Sequence, residues 1–314
     1  MGKILHLLEE GRVLVSDGAW GTFLHEMGLG AGECPESWNL SRPEDVLKVA
    51  RSYVEAGADV ILTNSFGGSP AKLRSFGLAD KTYEINRAAA AISRKAAAIS
   101  RKTSEIPQQA AESSQQATGD GVLVLGSIGP TGKMLLMGEI SEDEMLDGFS
   151  IQARGLADGG ADGLLVETMS DAREAGLAIR AARNVSDLEV ACTFTFEKNV
   201  DGVYRTMMGT TVPEAVEAAL DEGADIIGAN CGNGISGMID IVKEIRLLNR
   251  QVPVLVHANA GLPLLKEGKT VFPETPEEMA SRVQALREAG AGIIGGCCGT
   301  TPEHIRLISV TLRN

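Results

Sequence analysis

Short apolar runs recur along the chain, and four of them share one local pattern. In each, an acidic helix end precedes a glycine, and a run of aliphatic residues follows. Glycine is favoured just past the end of a helix, and runs that are apolar throughout are typical of strands buried on both faces of a parallel sheet. The four segments are EAGADVILTN ending at Asn64, DGGADGLLVET ending at Thr168, DEGADIIGANCG ending at Gly232 and REAGAGIIGGCCG ending at Gly299.

Four further apolar runs lie between these segments, at residues 13–18, 122–129, 190–196 and 252–261. The chain therefore contains eight candidate strands. Between them, DVLKVARSYVEAG, EDEMLDGFSIQARGLADGG, VPEAVEAALDEG and PEEMASRVQALREAG place apolar residues three and four positions apart, which predicts helices. Eight βα units predict an α/β fold, a single (β/α)₈ TIM barrel over residues 1–314. A doubly wound open sheet is the alternative, although no GxGxxG motif follows the first strand.

Composition restricts the partners and the location of such a barrel. The formal net charge of −13 argues against nucleic acid or an acidic membrane surface as the main partner. No apolar run approaches the roughly 20 residues that cross a bilayer, and the start MGKILHLLEEGR has acids directly after a very short apolar patch. We therefore expect a cytoplasmic protein. Residues 102–121 are polar and rich in Gln, Ser and Ala, which predicts a mobile surface insertion or a solvated extension without function.

Polar and sulfur-bearing residues stand at the ends of the predicted strands. In (β/α)₈ barrels the active site lies at the mouth formed by the C-terminal ends of the strands. The strand ends therefore give the candidate site residues, which are Asp17, Asn64, Glu167, Asn230, Cys231, Asn259, Cys297 and Cys298.

Three of the five cysteines suit a metal better than a disulfide framework. Cys231 ends the sixth predicted strand, and the adjacent pair Cys297–Cys298 ends the eighth, so all three share the barrel mouth. Three thiolates offer zinc a soft, negatively charged site with a fourth position open, where a bound thiol substrate would ionise. The alternative, a small buried hydrophobic residue, suits Cys192 and Cys34. A purely structural zinc is a further alternative, but such sites normally have four protein ligands.

The most specific segments of the chain are two cysteine motifs, GANCG near residue 230 and GGCCGT at 295–300. Through them and further segments, nearly the whole chain resembles the homocysteine S-methyltransferase family. The resemblance implies a (β/α)₈ fold and zinc-dependent methyl transfer to a thiol, typically homocysteine giving methionine. Further matching segments are DGAWGT at 17–22, ILTNSFG at 61–67, VET at 166–168 and HANAGLP at 257–263.

The resemblance also implies roles for individual residues. Cys231, Cys297 and Cys298 would be the zinc ligands. Glu167 would bind the ammonium group of the substrate, and Asp17 would lie beside the substrate, so these two carboxyls are the expected catalytic residues. An ammonium group requires an anionic partner, which agrees with this assignment. Structural alternatives are that Asp17 caps the following turn and that Glu167 belongs to an internal salt bridge.

The amide residues at the mouth have two interpretations. Asn64, Asn230 and Asn259 are expected to contact the substrate, or else to organise the loops through their amides. Asn259 is also proposed as a displaceable zinc ligand, because alanines flank it and would let its amide oxygen approach the metal. His257 is interpreted as structural, since a lone histidine rarely acts as a ligand. His304 is expected in the first turns of the last helix.

The methyl donor is the least defined part of the prediction. The family includes enzymes that use a methyl-corrinoid protein, glycine betaine or a methylated sulfonium compound. A cationic donor would require an aromatic cage, for which the candidates are Trp20, Phe23, Trp38 and Phe66; the alternative is apolar packing at the mouth. The TNSFG and NAGLP segments look closer to the homocysteine domain of cobalamin-dependent methionine synthase than to the sulfonium-using branch, and betaine–homocysteine methyltransferases are a further relative. We therefore expect a corrinoid carried by a partner protein, with action on another thiol or methylated substrate as an alternative.

Overall fold

The structure is a computed structural model that describes residues 2–98, 121–266 and 268–314. The insertion predicted near residues 102–121 lies outside the described residues, apart from Gly121. All eight predicted strands are present as a parallel barrel, which confirms the predicted fold class. The barrel strands are β1 (Leu14–Val15), β2 (Val60–Leu62), β3 (Leu123–Ile128), β4 (Gly163–Met169), β5 (Glu189–Phe194), β8 (Ile226–Gly234), β9 (Val254–Asn259) and β12 (Ile293–Gly296). Two hairpins accompany them, β6 (Glu197–Lys198) with β7 (Tyr204–Arg205) and β10 (Leu264–Lys266) with β11 (Lys269–Val271).

Helices surround the barrel. In the described ranges they are α1 (Lys3–Glu9), α2 (Gly21–Glu26), α3 (Trp38–Ser41), α4 (Pro43–Glu55), α5 (Pro70–Leu73), α6 (Thr82–Ala97), α7 (Glu142–Asp158), α8 (Ala172–Val185), α9 (Val212–Asp221), α10 (Ile235–Leu248), α11 (Pro276–Ala280), α12 (Val283–Ala289) and α13 (Pro302–Arg313). Single 3₁₀ turns occupy Pro35–Ser37, Arg74–Phe76, Ala79–Lys81 and Leu135–Met137. No helix among these is both long and apolar enough to cross a membrane.

One predicted helix is divided. The stretch at 276–290 forms α11 and α12 instead of a single helix. At the break the Ser281 hydroxyl donates to the carbonyl of Glu278 at 2.7 Å, and the Arg282 amide bonds to Met279 in a tighter turn. Serine competes with the helix for backbone partners in this way, so the apolar periodicity continues across a helix that is interrupted.

The barrel closes between its first two strands. Around the sheet the order is β1-β12-β9-β8-β5-β4-β3-β2, and the circle is completed by a single parallel bridge between Ser16 and Val60. Beside this bridge, Asp17 Oδ2 accepts a hydrogen bond from the Leu62 amide at 2.8 Å. The first strand is therefore shorter than the predicted range 13–18, because a side chain takes the place of the backbone ladder at this seam.

The core has two parts. One lies between the strands and the surrounding helices, and the other fills the barrel with aliphatic side chains such as Leu125, Leu165 and Leu255. Helix α1 covers the end of the barrel opposite the mouth, which we call the lower end. The carboxylate of Glu189 accepts the first free amides of this helix, those of Ile4 and Leu5, at 2.9 and 3.0 Å. These amides have no partner within the helix, so the carboxylate both caps α1 and attaches it to the barrel.

The repeated Gly-Ala-Asp phrase forms a repeated hydrogen-bond pattern at the lower end. In one copy, Arg94 donates to the Gly160 carbonyl at 2.9 and 2.6 Å and pairs with Asp162, which accepts the Val124 amide of the neighbouring strand at 2.9 Å. Each glycine of the phrase has a positive φ, as expected for a residue that ends a helix. The other copies are Gly57 with Arg313 and Asp59, Gly223 with Arg183 and Asp225, and Gly290 with Arg246 and no aspartate.

Candidate metal and substrate site

Three cysteine sulfurs meet at the barrel mouth. Cys231 lies near the end of β8, and Cys297 and Cys298 directly follow β12. The three sulfurs lie within 4.8 Å of one another, and those of Cys231 and Cys298 are 3.9 Å apart. Two sulfurs that are each about 2.3 Å from a shared tetrahedral zinc are separated by roughly 3.8 Å. The cluster therefore has the spacing that a zinc ion requires, and it is the one such group of histidine, cysteine and acidic side chains in the described part of the chain.

The electrostatics of the cluster also suit a cation. Hydrogen bonds from the Cys297 and Cys298 thiols hold the pKa of Cys231 well below its usual range. The same contact with the Cys231 sulfur raises the pKa of Cys297 and raises that of Cys298 to about 11. In this arrangement the Cys231 sulfur acts as the acceptor and is the most acidic of the three. A divalent cation would replace the two protons and bring all three sulfurs to the thiolate form, which is the form that binds metals.

Local backbone geometry brings the sulfurs together. Cys231 has φ +59 and is followed by Gly232 with φ +67, so β8 turns sharply where it reaches the mouth. On the other side, the Cys297 amide donates to the Ala258 carbonyl at 2.7 Å, and the Cys298 carbonyl accepts from Ala260 at 3.0 Å. Strand β9 and the residue that follows it therefore hold the Cys297–Cys298 turn in place.

The remaining two cysteines lie in the core. Cys192 is fully buried on β5, and burial raises the pKa of its thiol far above the ordinary value. Cys34 is also buried, and its thiol donates to Glu36 at 3.3 Å, with a pKa raised to about 12 by burial and by that carboxylate. Neither thiol ionises near neutral pH, in agreement with the packing interpretation of these two residues.

Two buried carboxyls, those of Asp17 and Glu167, lie near each other beside the cysteines. Glu167 on β4 accepts a short hydrogen bond from the Ser127 hydroxyl, and burial raises its pKa to about 7. Asp17 accepts from the Trp20 indole at 2.8 Å, and burial raises its pKa to about 7 as well. No ion pair within the described residues includes either carboxyl, so the salt-bridge alternative for Glu167 has no partner there. An ammonium group would supply the positive partner that neither carboxyl has among the described residues.

Two of the candidate amides are engaged by protein groups. The Asn64 amide nitrogen donates to the Pro35 carbonyl at 2.8 Å and to Asn39 at 3.1 Å, which ties the loop after β2 to the 3₁₀ turn. The Asn230 carboxamide is fully buried and bonds to the Thr168 backbone, the Thr168 hydroxyl and Thr193. Both side chains organise the mouth, which is the structural alternative raised from the sequence.

The seventh barrel strand carries two polar groups with free atoms. The Asn259 side chain helps to lower the pKa of the Cys231 thiol, whereas its Oδ1 is buried without a hydrogen-bond partner among the described residues. His257 is fully buried, its Nε2 has no such partner either, and burial lowers its pKa to about 4. His257 is therefore neutral and lies outside the cysteine cluster. His304 lies in the first turn of α13, as expected, and bonds to Thr301 and Glu274.

The four aromatic candidates do not stack into a cage. Trp38 is buried beneath the Arg42 guanidinium, which lies 3.7 Å from the ring centroid. Phe23 packs edge-on against Tyr53, with ring centroids 6.2 Å apart. Trp20 is held by Asp17, and Phe66 is 40% exposed. No ring contact joins two of the four in the described residues, which favours the packing interpretation for Trp38 and Phe23.

Sequence analysis missed Thr300 and Tyr53, which connect the cysteine turn to the loop after β1. The Thr300 hydroxyl accepts the Ala19 amide at 3.1 Å and donates to the Cys297 carbonyl at 2.7 Å. The Tyr53 hydroxyl holds the Ala19 carbonyl at 2.6 Å. In the sequence, the sign of this contact is the glycine at position 296, because a Cβ there would lie only 2.3 Å from the Thr300 hydroxyl. The GGCCGT and DGAWGT motifs thus form one hydrogen-bonded unit.

The structure is thus a closed (β/α)₈ barrel whose mouth holds three converging thiols and two buried carboxyls without an ion pair among the described residues. A family model described as homocysteine S-methyltransferase matches residues 14–312. The chain belongs to this family.

The relatives found by sequence are longer proteins. The methionine synthase of Mycobacterium tuberculosis (strain ATCC 25618 / H37Rv) is 32% identical over 311 residues, covering 96% of this chain and 25% of that protein. The methionine synthase of Mycobacterium leprae (strain TN) is 32% identical over 309 residues, covering 96% and 24%. The chain therefore spans about a quarter of the length of these relatives.

Among solved structures, the metallated form of the homocysteine methyltransferase MmuM from Escherichia coli has the same fold. The TM-score is 0.76 at 24% sequence identity, with 98% of this chain and 99% of that chain covered. The apo form of the same enzyme gives a TM-score of 0.71 at 21% identity. At these identities the likeness shows the fold.

Proposed function

We propose that the chain transfers a methyl group to the sulfur of homocysteine, giving methionine, at a zinc ion held by Cys231, Cys297 and Cys298. The observation that carries this proposal is the convergence of the three sulfurs within 4.8 Å at the mouth. Bound zinc would ionise a coordinated thiol at neutral pH. The three cysteines leave a fourth position for that thiol, as catalytic zinc sites require.

The neighbouring carboxyls would hold the amino-acid end of the substrate. Glu167 is positioned by Ser127 and has no cationic partner among the described residues, so the substrate ammonium would form a charge-assisted hydrogen bond with it. Asp17 would contribute negative charge beside it. Because burial raises both pKa values to about 7, ammonium binding would also favour loss of a proton from this pair.

Asn259 is proposed as a ligand that leaves when the substrate sulfur arrives. Its side chain already contacts Cys231, and its oxygen has no other partner in the described residues. The orientation of an amide is an assignment, and rotation by 180° would exchange oxygen for nitrogen next to the cluster. The alternative is that water occupies the fourth position and Asn259 acts as scaffold.

For the methyl donor, we propose a methyl-corrinoid carried by a partner protein. The resemblance of TNSFG and NAGLP to the cobalamin-dependent branch supports it, and so does the packing of Trp38 and Phe23 against other protein groups. A betaine or sulfonium donor is the second candidate, supported by Trp20 and the partly exposed Phe66 at the mouth. Action on another thiol or another methylated substrate is the third.

One assay separates these candidates. Zinc-loaded protein is incubated with homocysteine and, in parallel, methylcobalamin, glycine betaine or S-methylmethionine, and methionine is measured by mass spectrometry. We expect product with methylcobalamin and none with the Cys297→Ala protein. Product with an onium donor alone would replace the donor proposal, and methylation of 2-mercaptoethanol in preference to homocysteine would replace the acceptor.

A second measurement tests whether the zinc position is open. Homocysteine is titrated into zinc-loaded protein in two buffers of different ionisation enthalpy, which reports the protons released. We expect proton release on thiol binding, since the coordinated sulfur loses its proton. Absence of release together with absence of binding would indicate a closed, structural zinc.

A further inference from the structure

Two residues at the mouth have backbone conformations that side chains strongly disfavour. Thr168 has φ +60 and Cys231 has φ +59, and these are the non-glycine residues with positive φ in the described ranges. For a β-branched residue such as threonine, this conformation is a genuine outlier. Thr168 directly follows Glu167, and Cys231 is itself a proposed ligand. Strained residues persist only where surrounding contacts hold them.

The Asn230 carboxamide supplies those contacts for Thr168, and its Nδ2 also lies 4.0 Å from the Cys297 sulfur. Its Oδ1 accepts the Thr168 amide at 2.8 Å, and its Nδ2 donates to the Thr168 hydroxyl at 2.7 Å, so the two residues form a reciprocal pair. The Thr193 hydroxyl also donates to Oδ1 at 2.8 Å, and the Thr195 hydroxyl donates to the Asn230 carbonyl at 2.9 Å. One buried side chain therefore joins the ends of three adjacent barrel strands, β4, β5 and β8.

We propose that Asn230 is a positioning residue that holds Thr168 and Cys231 in their left-handed conformations and so sets the Glu167 carboxyl relative to the Cys231 sulfur. This inference rests on the proposed function of the two groups. Asn230 is the neighbour of Cys231 in the chain and grips the neighbour of Glu167, so it acts on both. We call the paired hydrogen bonds between Asn230 and Thr168 the clamp. Without the clamp, each strand end would relax toward the extended region, and the side chains of Glu167 and Cys231 would turn away from each other.

The test compares two substitutions at Thr168. Thr168→Val keeps the branched shape, and with it the intrinsic cost of a positive φ, but removes the hydroxyl that accepts from Asn230. Thr168→Ser keeps the hydroxyl. With zinc-loaded protein, calorimetry should show homocysteine binding about tenfold weaker in Thr168→Val and within about threefold of wild type in Thr168→Ser. A colorimetric chelator should also remove zinc faster from Thr168→Val. The control is Thr82→Val, which removes another buried hydroxyl, one that donates to Ala79, and should behave as wild type.

Two further measurements test whether Asn230 holds Thr168 in place. Hydrogen exchange at the Thr168 amide should accelerate in Asn230→Ala, because Oδ1 is its acceptor; this readout needs neither metal nor substrate. In a double-mutant cycle, Asn230→Ala and Thr168→Val should be non-additive in homocysteine affinity by about tenfold. Additive effects, or equal loss in Thr168→Ser and Thr168→Val, would overturn the clamp. Wild-type protein that binds zinc but no homocysteine would instead refute the proposed function, while the exchange and chelator measurements would still judge the clamp.

Discussion

The two ends of the barrel are built differently. At the lower end, one arrangement of glycine, arginine and aspartate recurs after four helices, and its amides, carbonyls and carboxylates satisfy one another. At the mouth, each strand ends in its own way: in a thiol, a buried carboxyl, an amide with a free oxygen, or a residue with a strained φ. The fourth lower copy is the instructive exception, since Gly292 replaces the aspartate where a Cβ would lie 3.3 Å from Leu8 of α1.

The contrast separates stability from chemistry. At the lower end each helix leads into a strand through the same kind of junction, so the same hydrogen-bond pattern can stabilise each of these junctions. At the mouth, two carboxyls with raised pKa and two left-handed side-chain-bearing residues lower stability locally. Groups left unpaired and strained in a folded chain are those that a ligand can satisfy. Substitutions at the two ends should therefore affect different quantities.

The largest effect is expected at the cysteines. Cys297→Ala should abolish methyl transfer and reduce bound zinc far below one ion per chain, because two sulfurs do not make a tight tetrahedral site. Far-UV circular dichroism should stay unchanged, since the lower end and the core are intact. Stoichiometric zinc in the Cys297→Ala protein, measured by atomic emission after dialysis, would count decisively against the centre.

The lower end should give the opposite result. Asp162→Ala leaves the Val124 amide and Arg94 without their carboxylate, so we expect a loss of roughly 2–3 kcal/mol in the free energy of unfolding. Urea denaturation measures this loss, and Asp201→Ala, which removes an exposed acid, is the control. Homocysteine affinity should not change. A Kd raised as much as stability falls would mean that the two ends are coupled.

Glu167→Gln should weaken homocysteine binding by roughly 1.5–3 kcal/mol, the value of a hydrogen bond to a charged group. Glutamine can still accept from Ser127, so the fold and the zinc content should remain. Calorimetric titration of zinc-loaded protein measures the difference. Unchanged affinity would assign Glu167 a structural role.

Stability should also respond to pH through the buried carboxyls. Because burial raises the pKa of Glu167 to about 7, the folded state holds its proton more tightly than the unfolded state does. This contribution favours folding at pH 5 and is lost as pH rises through 7. In the absence of homocysteine, Glu167→Gln should therefore gain about 1–2 kcal/mol over wild type between pH 5 and pH 8. Parallel stability curves for the two proteins would show that Glu167 titrates normally.

The smallest effect concerns the resting zinc. If the Asn259 oxygen is the fourth ligand, Asn259→Ala should change the atoms bound to zinc in substrate-free protein and leave the homocysteine complex unaltered. Zinc K-edge spectroscopy compares the two states. The same set of bound atoms in wild type and variant would leave water as the resting ligand and Asn259 as scaffold.

The sequence predicts the two ends unequally well. The Gly-Ala-Asp phrase is a pattern of neighbouring residues, so it can be recognised in the sequence and locates the strands. The cysteines are then predicted to lie at the mouth because they stand at the ends of those strands. The partners of Asn230 are not local, because Thr168 and Thr193 reach it through the register of three strands and through a left-handed turn that no periodicity indicates. The Thr300 contact with Ala19 is also between residues far apart in the sequence, so it could not be predicted, and only the flanking glycines indicate a close approach there. The shortened first strand depends on the Asp17 carboxylate, which a pattern of apolar residues does not reveal.

The separation of the cysteines along the chain has a consequence for how the protein is made. Cys231 leaves the ribosome well before Cys297 and Cys298, and β12 brings that pair to the mouth by pairing with β9 from residue 293 to residue 296. Until that happens, the nascent chain carries a lone thiol with no partners and nowhere to hold a metal. The centre can then assemble only after the last barrel strand has packed against β9, which also pairs with the strand that carries Cys231. Metal capture would in that way mark the molecules that have finished folding.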